Sequence, residues 1–198
     1  MKALYNISYG LYVLTANAEK PNGCIINTLQ QVTSNPERIS ITVNKDNYTT
    51  KLIEETGIFN VCILDINTNF ETIKNFGFSS GKDVDKFEKF KDFKLSKNGL
   101  PYITKNTNAF LSAKVVSKTD VGTHFTFVAD VTEDVVLSET ESITYSYYLK
   151  NVKPKPEPQN KNQYVCSVCG YVHEGENLPE DFICPICKHG AEVFELQK

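Results

Sequence analysis

The feature of this sequence that most limits its fold is a set of two cysteine pairs near the end of the chain. Cys166 and Cys169 are two residues apart, as are Cys184 and Cys187, and all four lie within the last 36 residues. A segment this short buries too little apolar surface to fold alone and normally needs a metal ion or disulfides. Two C-x-x-C pairs have the spacing that surrounds one tetrahedral metal ion. The sequence therefore predicts a metal-binding module at residues 163–198.

A disulfide framework is the alternative use of these thiols. The two remaining cysteines, Cys24 and Cys62, lie inside apolar runs, where a single thiol behaves as a small buried hydrophobic residue. We therefore favour a metal over disulfide bridges. Thiolates that stay reduced indicate a reducing compartment, and no apolar stretch reaches the length that spans a membrane. The sequence predicts a cytoplasmic protein without a membrane partner.

A proline-rich segment divides the chain. Residues 151–162 contain three alternating prolines and almost no apolar side chain, which is the composition of a semi-rigid, extended linker. We predict one domain at residues 1–150, this linker, and the metal module at residues 163–198. The module carries a formal charge of −4 and the rest of the chain +1. Nucleic-acid binding needs clustered lysine and arginine, so this balance argues against a nucleic-acid partner and favours a basic protein surface.

Residues 1–150 have the pattern of a mainly β domain. Short apolar and β-branched runs separated by turn residues are typical of a barrel or a sandwich. The predicted strands cover residues 9–15, 24–32, 39–43, 58–64, 109–116, 125–131 and 143–149. Two helices interrupt them. The first is predicted from Tyr48 to Glu55 with Asn47 as its cap and Gly57 after its end, and the second from Asn69 to about Phe76 with Thr68 as its cap and Gly77 after its end.

Three polar segments of this domain are candidate ligand sites, although no G-x-G-x-x-G motif indicates a nicotinamide-binding Rossmann unit. Residues 77–83 lack the spacing of a P-loop. Their backbone N–H groups and Lys82 can still bind one phosphate. The alternative is that this segment is only a solvated loop. Residues 44–50 join a strand to a helix N-terminus, where free N–H groups also favour an anion. Residues 27–36 place amides and hydroxyls along a core edge, which favours contact with the edge of a heterocycle.

At these residues the sequence resembles known families. Residues 23–34, 43–49, 76–87, 122–124 and 144–148 resemble the FMN-binding flavin reductase-like family of the flavoredoxin type. Residues 164–171, 178–187 and 194–195 are similar to rubredoxin. Together the two regions cover nearly the whole chain, and their order resembles the fusions known as high-molecular-weight rubredoxins of anaerobic bacteria.

The resemblance implies an FMN-binding split β-barrel that forms a homodimer with FMN at the subunit interface, followed by a small rubredoxin-like Fe(Cys)4 domain. The residues that it assigns to the isoalloxazine ring or the ribityl chain are Asn27, Thr28 and Gln30. Those that it assigns to the FMN phosphate are Lys45, Asn47, Tyr48, Thr49 and Lys82. His124 would approach the flavin as a catalytic residue, and the metal ligands would be Cys166, Cys169, Cys184 and Cys187.

Two departures from the family pattern and the choice of metal qualify these assignments. Leu149 stands where the family often has histidine, which leaves that side of the flavin site open. The cysteine pairs are separated by 14 residues, fewer than in free rubredoxins, and this shorter loop suggests a more exposed metal. Spacing alone favours zinc, the alternative metal, because structural ribbons are the commonest use of such pairs. Gly170, Pro185, the surrounding aromatic residues and the rubredoxin-like Leu-Pro-x-Asp-aromatic run favour iron.

The function implied by the resemblance is FMN-dependent electron transfer. FMN would receive electrons from NAD(P)H or an NADH-dependent reductase and pass them singly to the Fe(Cys)4 centre. That centre would reduce a flavodiiron oxygen or nitric-oxide reductase, or a rubrerythrin-type acceptor. Two alternatives remain: a flavin-binding barrel whose structural zinc ribbon recruits a partner, and a reductase that releases reduced FMN.

Overall fold

The computed structural model describes residues 3–154 and 162–197. The chain divides into two compact units, one up to Lys153 and the other from Pro154 onward. Most of the predicted linker, residues 155–161, lies outside the described residues, as do residues 1, 2 and 198 at the ends of the two predicted domains. Among the helices that the structure describes, none is both long and apolar enough to cross a membrane.

The first unit contains nine strands and two longer helices among its described residues. In chain order they are β1 (Tyr12–Asn17), β2 (Pro21–Ile26), β3 (Leu29–Ser34), β4 (Glu37–Asn44), α1 (Tyr48–Thr56), β5 (Ile58–Leu64), α2 (Phe70–Gly77), β6 (Phe93–Leu95), β7 (Pro101–Ile103), β8 (Thr107–Asp120) and β9 (His124–Val136). Short helical turns occupy Ala3–Asn6, Tyr145–Tyr147 and Tyr148–Val152.

Seven of these strands form one antiparallel sheet that must curl into a barrel. The strand order is β2-β1-β5-β8-β9-β4-β3, so the two edge strands are consecutive in the chain, with only Asn27 and Thr28 between them. Three peptide steps span at most about 10 Å, so the two edges of the sheet are held close together. The backbone N–H of Thr42 on β4 also donates to the carbonyl of Thr28, at 3.3 Å. The predicted mainly β, split-barrel architecture is therefore confirmed.

The barrel has two apolar clusters. One contains Phe59 and Phe127 and is covered by the buried side of α1. The other contains Phe76 of α2 together with Phe110, and Tyr102 stacks on Phe110 with ring centroids 3.9 Å apart. Burial of this apolar surface is the main source of the stability of the fold. The burial of Phe76 also fixes the position of α2, and thereby the position of the polar residues 77–83 that follow this helix.

Most of the predicted strands are present. Residues 58–64 form a strand as predicted, and the strands predicted at 39–43, 109–116 and 125–131 lie within longer ones. The strand predicted at 9–15 begins later, at Tyr12, and extends to Asn17. The short strands β6 and β7 were not predicted.

Two strand predictions were wrong. Residues 24–32 are not one strand, because the chain leaves β2 at Asn27 and enters β3 on the opposite edge of the sheet. Residues 143–149 are not a strand either, since a helical turn begins at Tyr145. The Thr144 hydroxyl accepts a hydrogen bond from the N–H of Tyr147 at 3.2 Å, which caps that turn.

Both helices are present, with one error in capping. α1 ends at Gly57, which has the left-handed φ of 71° expected of a glycine stop, and Asn47 occupies the cap position without a side-chain hydrogen bond. Thr68 does not cap α2. Its hydroxyl donates to the carbonyl of Asp65 at 2.7 Å, and Asn69 instead accepts from the N–H of Thr72 at 3.1 Å. The helix therefore starts one residue later than predicted.

The second unit is a small three-stranded sheet. Its strands are β10 (Asn162–Cys166), β11 (Val172–Gly175) and β12 (Phe194–Gln197), in the order β11-β10-β12. Phe182 contacts His173 and Phe194, with ring centroids 4.4 Å and 5.3 Å away. These aromatic rings supply a small apolar core, and the four cysteines lie at the end of β10 and in the loops that follow β10 and Phe182.

Candidate functional site

The structure brings the four predicted metal ligands together. Their sulfur atoms all lie within 4.8 Å of one another. The Sγ atoms of Cys166 and Cys187 are 3.6 Å apart, and those of Cys169 and Cys184 are 3.5 Å apart. A tetrahedral ion with metal–sulfur bonds of about 2.3 Å needs sulfurs about 3.8 Å apart. The cage thus has the size and the soft donor set of a zinc or iron site.

Backbone N–H groups aim at the sulfurs of this cage. Burial by itself would raise the pKa of Cys184. The N–H groups of Cys187 and Ile186 donate to its sulfur, and together with the neighbouring thiols they outweigh burial and lower the pKa of Cys184 to about 6. At Cys169 the N–H of Tyr171 favours the thiolate. Burial and hydrogen bonds to the other sulfurs outweigh it and raise the pKa of Cys169 to about 12. Because the four thiols lie so close together, they do not lose or keep their protons independently. A metal cation that binds them takes the place of these protons.

The two histidines of this unit stand outside the cage. His173 packs against Phe182, and the ring Nδ1 of His189 lies 3.1 Å from the carbonyl oxygen of Cys187. Neither belongs to the group of side chains that can hold one ion, within the part of the chain that the structure describes. Four sulfurs already complete a tetrahedral shell.

In the first unit, a cavity of about 280 Å³ lies at the N-terminus of α1; we call it the α1 cavity. It contains three of the residues predicted to bind phosphate, Asn47, Tyr48 and Thr49. The remaining walls come from β2, from residues 77–81 after α2, and from Asn44, Asp46 and Lys86. Hydroxyls, amides and free N–H groups at a helix N-terminus suit an anion.

Lys82 lines a second cavity of about 350 Å³, which we call the loop cavity. It shares Tyr48 and Gly81 with the α1 cavity, so the two adjoin, and its rim carries both acidic residues and lysines. A Cβ atom at Gly81 would collide with the Asn22 amide, so glycine lets the segment close onto β2. Lys82 is therefore placed next to the predicted phosphate residues, with its side chain exposed.

Asn27, Thr28 and Gln30 line a third cavity of about 520 Å³ where the chain crosses from β2 to β3; we call it the seam cavity. The Thr28 hydroxyl donates to the carbonyl of Thr42 at 2.6 Å, which fixes this crossing of the chain. Asn22 of β2 lines the α1 cavity, and Asn27, which directly follows the end of β2 at Ile26, lines the seam cavity. Five residues of extended chain span about 16 Å. The α1 cavity is therefore bordered by β2, and the seam cavity by the residues that directly follow this strand.

Lys45 and His124 are not among the residues that line these three cavities. The Lys45 ammonium lies 2.6 Å from a carboxylate oxygen of Asp120 and 4.7 Å from the centroid of the Phe125 ring. Its hydrogen bond is the main cause of the lowered pKa of Asp120. His124 begins β9 opposite Asn44, and its Nδ1 lies 2.8 Å from the Thr123 hydroxyl. The N–H of Lys45 also donates to the carbonyl of Thr123 at 3.1 Å, so both residues lie at the end of β4 and the start of β9, outside the cavity walls.

A buried lysine at the α1 cavity was missed by the sequence analysis. The Lys86 side chain is 5% exposed, and its ammonium donates to the carbonyls of Gly23 and Phe76 at 2.8 Å and 2.9 Å. Burial lowers the pKa of Lys86, an effect that nearby Cys24 partly offsets. Burial likewise raises the pKa of the Cys24 thiol, which hydrogen-bonds Thr49. The sequence gives no signal for this contact, because a lysine in a polar segment reads as exposed.

The match between these residues and a flavin rests on the donors present. A phosphate needs N–H, hydroxyl and ammonium donors, and the α1 and loop cavities supply all three. The amides and hydroxyls of the seam cavity can hydrogen-bond a polar ring edge.

The second cysteine of the first unit, Cys62, is fully buried, and burial raises its pKa to about 12. It is therefore a part of the apolar core.

Comparison with known protein families agrees with this geometry. Residues 4–154 match the family described as flavin reductase like domain. The chain belongs to the flavin reductase-like family. Residues 164–195 of this flavin reductase-like chain match a second family, described as rubrerythrin, rubredoxin-like domain. The predicted combination of a flavin reductase-like domain with a C-terminal rubredoxin-like domain is confirmed.

Individual relatives of this flavin reductase-like chain lead to the same conclusion. The high molecular weight rubredoxin of Moorella thermoacetica is 36% identical over 98% of both chains. The ferric-chelate reductase (NAD(P)H) of Archaeoglobus fulgidus is 39% identical over 75% of this chain and 88% of its own. The solved NADH:FAD oxidoreductase of Streptomyces globisporus superimposes with a TM-score of 0.65 at 22% identity, covering 71% of this chain and 83% of its own. The last similarity shows the shared fold.

Proposed function

We propose that this chain is an electron-transfer oxidoreductase whose first unit holds FMN and whose second unit holds one iron ion. The observation that carries the proposal is the presence of a flavin reductase-like barrel and a four-cysteine cage in one chain. FMN accepts a hydride and releases electrons singly, and an iron ion held by four thiolates exchanges one electron.

In the barrel, the residues of the α1 and loop cavities would bind and orient the cofactor. Asn47, Tyr48, Thr49 and Lys82 would hold the phosphate, and Lys86 would keep the cavity wall in place through its two carbonyl contacts. Asn27, Thr28 and Gln30 would bind the ring or the ribityl chain at the seam cavity. Lys45 and His124 would approach the flavin from outside these cavities.

In the second unit, the backbone would tune the metal site. N–H groups that donate to Cys169, Cys184 and Cys187 stabilise negative charge on sulfur, and so favour the reduced state of a bound iron. Ile183 and Ile186 leave their side chains 61% and 64% exposed beside these cysteines. The cage therefore lies close to the surface, where a redox partner can approach.

The relatives support redox partners in general, and the particular partners are part of the proposal. The name of the Archaeoglobus relative includes NAD(P)H, which supports NAD(P)H, or an NADH-dependent reductase, as the electron donor. By family resemblance, the acceptor would be a flavodiiron protein or a rubrerythrin, and the protein would work as a cytoplasmic homodimer. The acidic balance of the second unit favours an acceptor with a basic surface.

Anaerobic addition of NADH to the purified protein tests the proposal. We expect the flavin bands and the thiolate-to-iron charge-transfer band to bleach together, because both centres belong to one electron path. Stopped-flow absorbance at the two wavelengths measures this directly. Bleaching that begins only after an NADH-dependent reductase is added would identify that reductase as the donor.

The same sample separates the alternatives. A spectrum with flavin bands only, together with stoichiometric zinc, would establish a structural ribbon and contradict the electron path. Reduced FMN that passes a filter retaining the protein would instead identify a reductase that releases its flavin. Metal analysis on natively expressed, anaerobically purified protein is the control for zinc acquired during overproduction.

A further inference from the structure

The two cysteine loops of the second unit share one backbone design. In the first, the N–H of Gly170 donates to the carbonyl of Cys166 at 2.8 Å, and in the second the N–H of Lys188 donates to that of Cys184 at 3.0 Å. Gly170 and Lys188 both have a left-handed φ, 75° and 63°. In each loop the N–H of the next residue donates to the sulfur of the cysteine before it. Lys188 therefore occupies the position that glycine occupies in the first loop.

Lysine is an unfavourable residue for that position. Glycine adopts a left-handed φ at no steric cost, whereas a side chain with a Cβ atom crowds the following carbonyl. Asparagine and aspartate tolerate the conformation better than lysine does. A residue that keeps a strained backbone beside a functional site suggests that its side chain has a role there.

The positive charge of Lys188 is also exceptional within the described part of the second unit, residues 162–197. It is the single lysine or arginine among residues 162–197, and its side chain is exposed. It forms none of the ion pairs found among the described residues. The acidic residues of the same stretch are Glu174, Glu176, Glu180, Asp181, Glu192 and Glu195. An unpaired ammonium thus directly follows Cys187, which is only partly buried.

We propose that Lys188 raises the reduction potential of the metal centre, a role that rests on the proposed iron-dependent function. When Fe³⁺ held by four thiolates gains one electron and becomes Fe²⁺, the net charge of the centre changes from −1 to −2. A neighbouring cation stabilises the more negative state more than the less negative one. Lys188 is not a ligand; it directly follows Cys187 in the chain, and its charge acts on the centre through space. Its strained backbone is retained because glycine would remove that charge.

Three substitutions separate charge from backbone strain in the full-length, iron-loaded protein. Lys188→Gln removes the charge and keeps a long side chain, Lys188→Arg keeps the charge, and Lys188→Gly removes both charge and strain. We expect the midpoint potential of the iron to fall by the same amount in the Gln and Gly variants and to stay unchanged in the Arg variant. On heating, the iron–thiolate absorbance disappears when the metal site unfolds. Only the Gly variant should keep this absorbance to a higher temperature than the wild type, because only this variant has lost the backbone strain.

Spectroelectrochemical titration at low and high salt measures these potentials. The difference between wild type and Lys188→Gln should shrink at high salt, since ions screen exposed charges. Equal potentials in all four proteins would overturn the tuning role while leaving the proposed function intact. Failure of every protein, wild type included, to bind iron would overturn both, and measured iron content distinguishes the two outcomes.

Discussion

Replacing Cys166 with serine is expected to abolish electron delivery to the acceptor while reduction of the flavin by its donor continues. Cys166 is fully buried at the end of β10, and its sulfur is one of the four in the cage. Structural four-ligand sites bind zinc with about 10–16 kcal/mol, or about 3 kcal/mol for each ligand, so the loss of one weakens metal binding at least about 100-fold. Because a unit this small depends on its metal, its fold should be lost as well.

Iron content, flavin reduction and acceptor turnover measure this effect separately. Ser167→Ala is the matched control, because Ser167 is exposed in the same loop and its hydroxyl donates only to the carbonyl of Val193, at 3.0 Å. The control should keep its iron and its turnover with a flavodiiron protein as the acceptor. Unchanged turnover in Cys166→Ser would show that electrons bypass the cage. A parallel loss of flavin reduction would show that the first unit needs the second.

Replacing Lys82 with glutamine is expected to weaken FMN binding about 10- to 100-fold. A hydrogen bond to a charged group contributes about 1.5–3 kcal/mol, and the glutamine side chain removes the charge while keeping a similar reach. Lys82 is exposed, so its loss should leave the stability of the barrel unchanged. Fluorescence titration of the flavin-free protein with FMN measures the affinity.

Riboflavin and Lys45→Gln are the two controls for this prediction. Riboflavin lacks the phosphate, so its affinity should be the same for wild type and Lys82→Gln. Lys45 was also predicted to bind phosphate, but its ammonium is paired with Asp120, so Lys45→Gln should change FMN affinity by less than Lys82→Gln. A larger loss at Lys45 would mean that its ammonium leaves Asp120 when FMN binds. An equal loss of riboflavin affinity in Lys82→Gln would place Lys82 away from the phosphate.

The parts of this molecule that the sequence predicted best are those with a strong local pattern. The cysteine spacing identified all four members of the cage, because C-x-x-C loops place their sulfurs together whatever surrounds them. Strand β5 was predicted to the residue, since an apolar run ending before helix signals has few alternatives. Gly57 ended α1 as expected.

The errors occur where tertiary contacts decide the outcome. Residues 27 and 28 contain neither glycine nor proline, so nothing local marks the crossing between the sheet edges. In residues 143–149, apolar and polar residues alternate as in a strand, yet Ile143 reaches the core just before a helical turn begins and Tyr148 reaches it from the helical residues that follow. The burial of Lys86 depends on carbonyls 63 and 10 residues away, and a pattern read along the chain does not contain such contacts.

The gap between β2 and β3 has a consequence for how the protein behaves when its ligand is removed. Both are edge strands, and their outer backbone groups have no ladder partner within the described sheet. A molecule seated in the seam cavity contacts the two residues that join β2 to β3 and the start of β3, so its binding energy stabilises this crossing of the chain. Depletion of that molecule should therefore accelerate amide hydrogen exchange first in β3 and in the connection that precedes it, well before the central pair β8 and β9 responds.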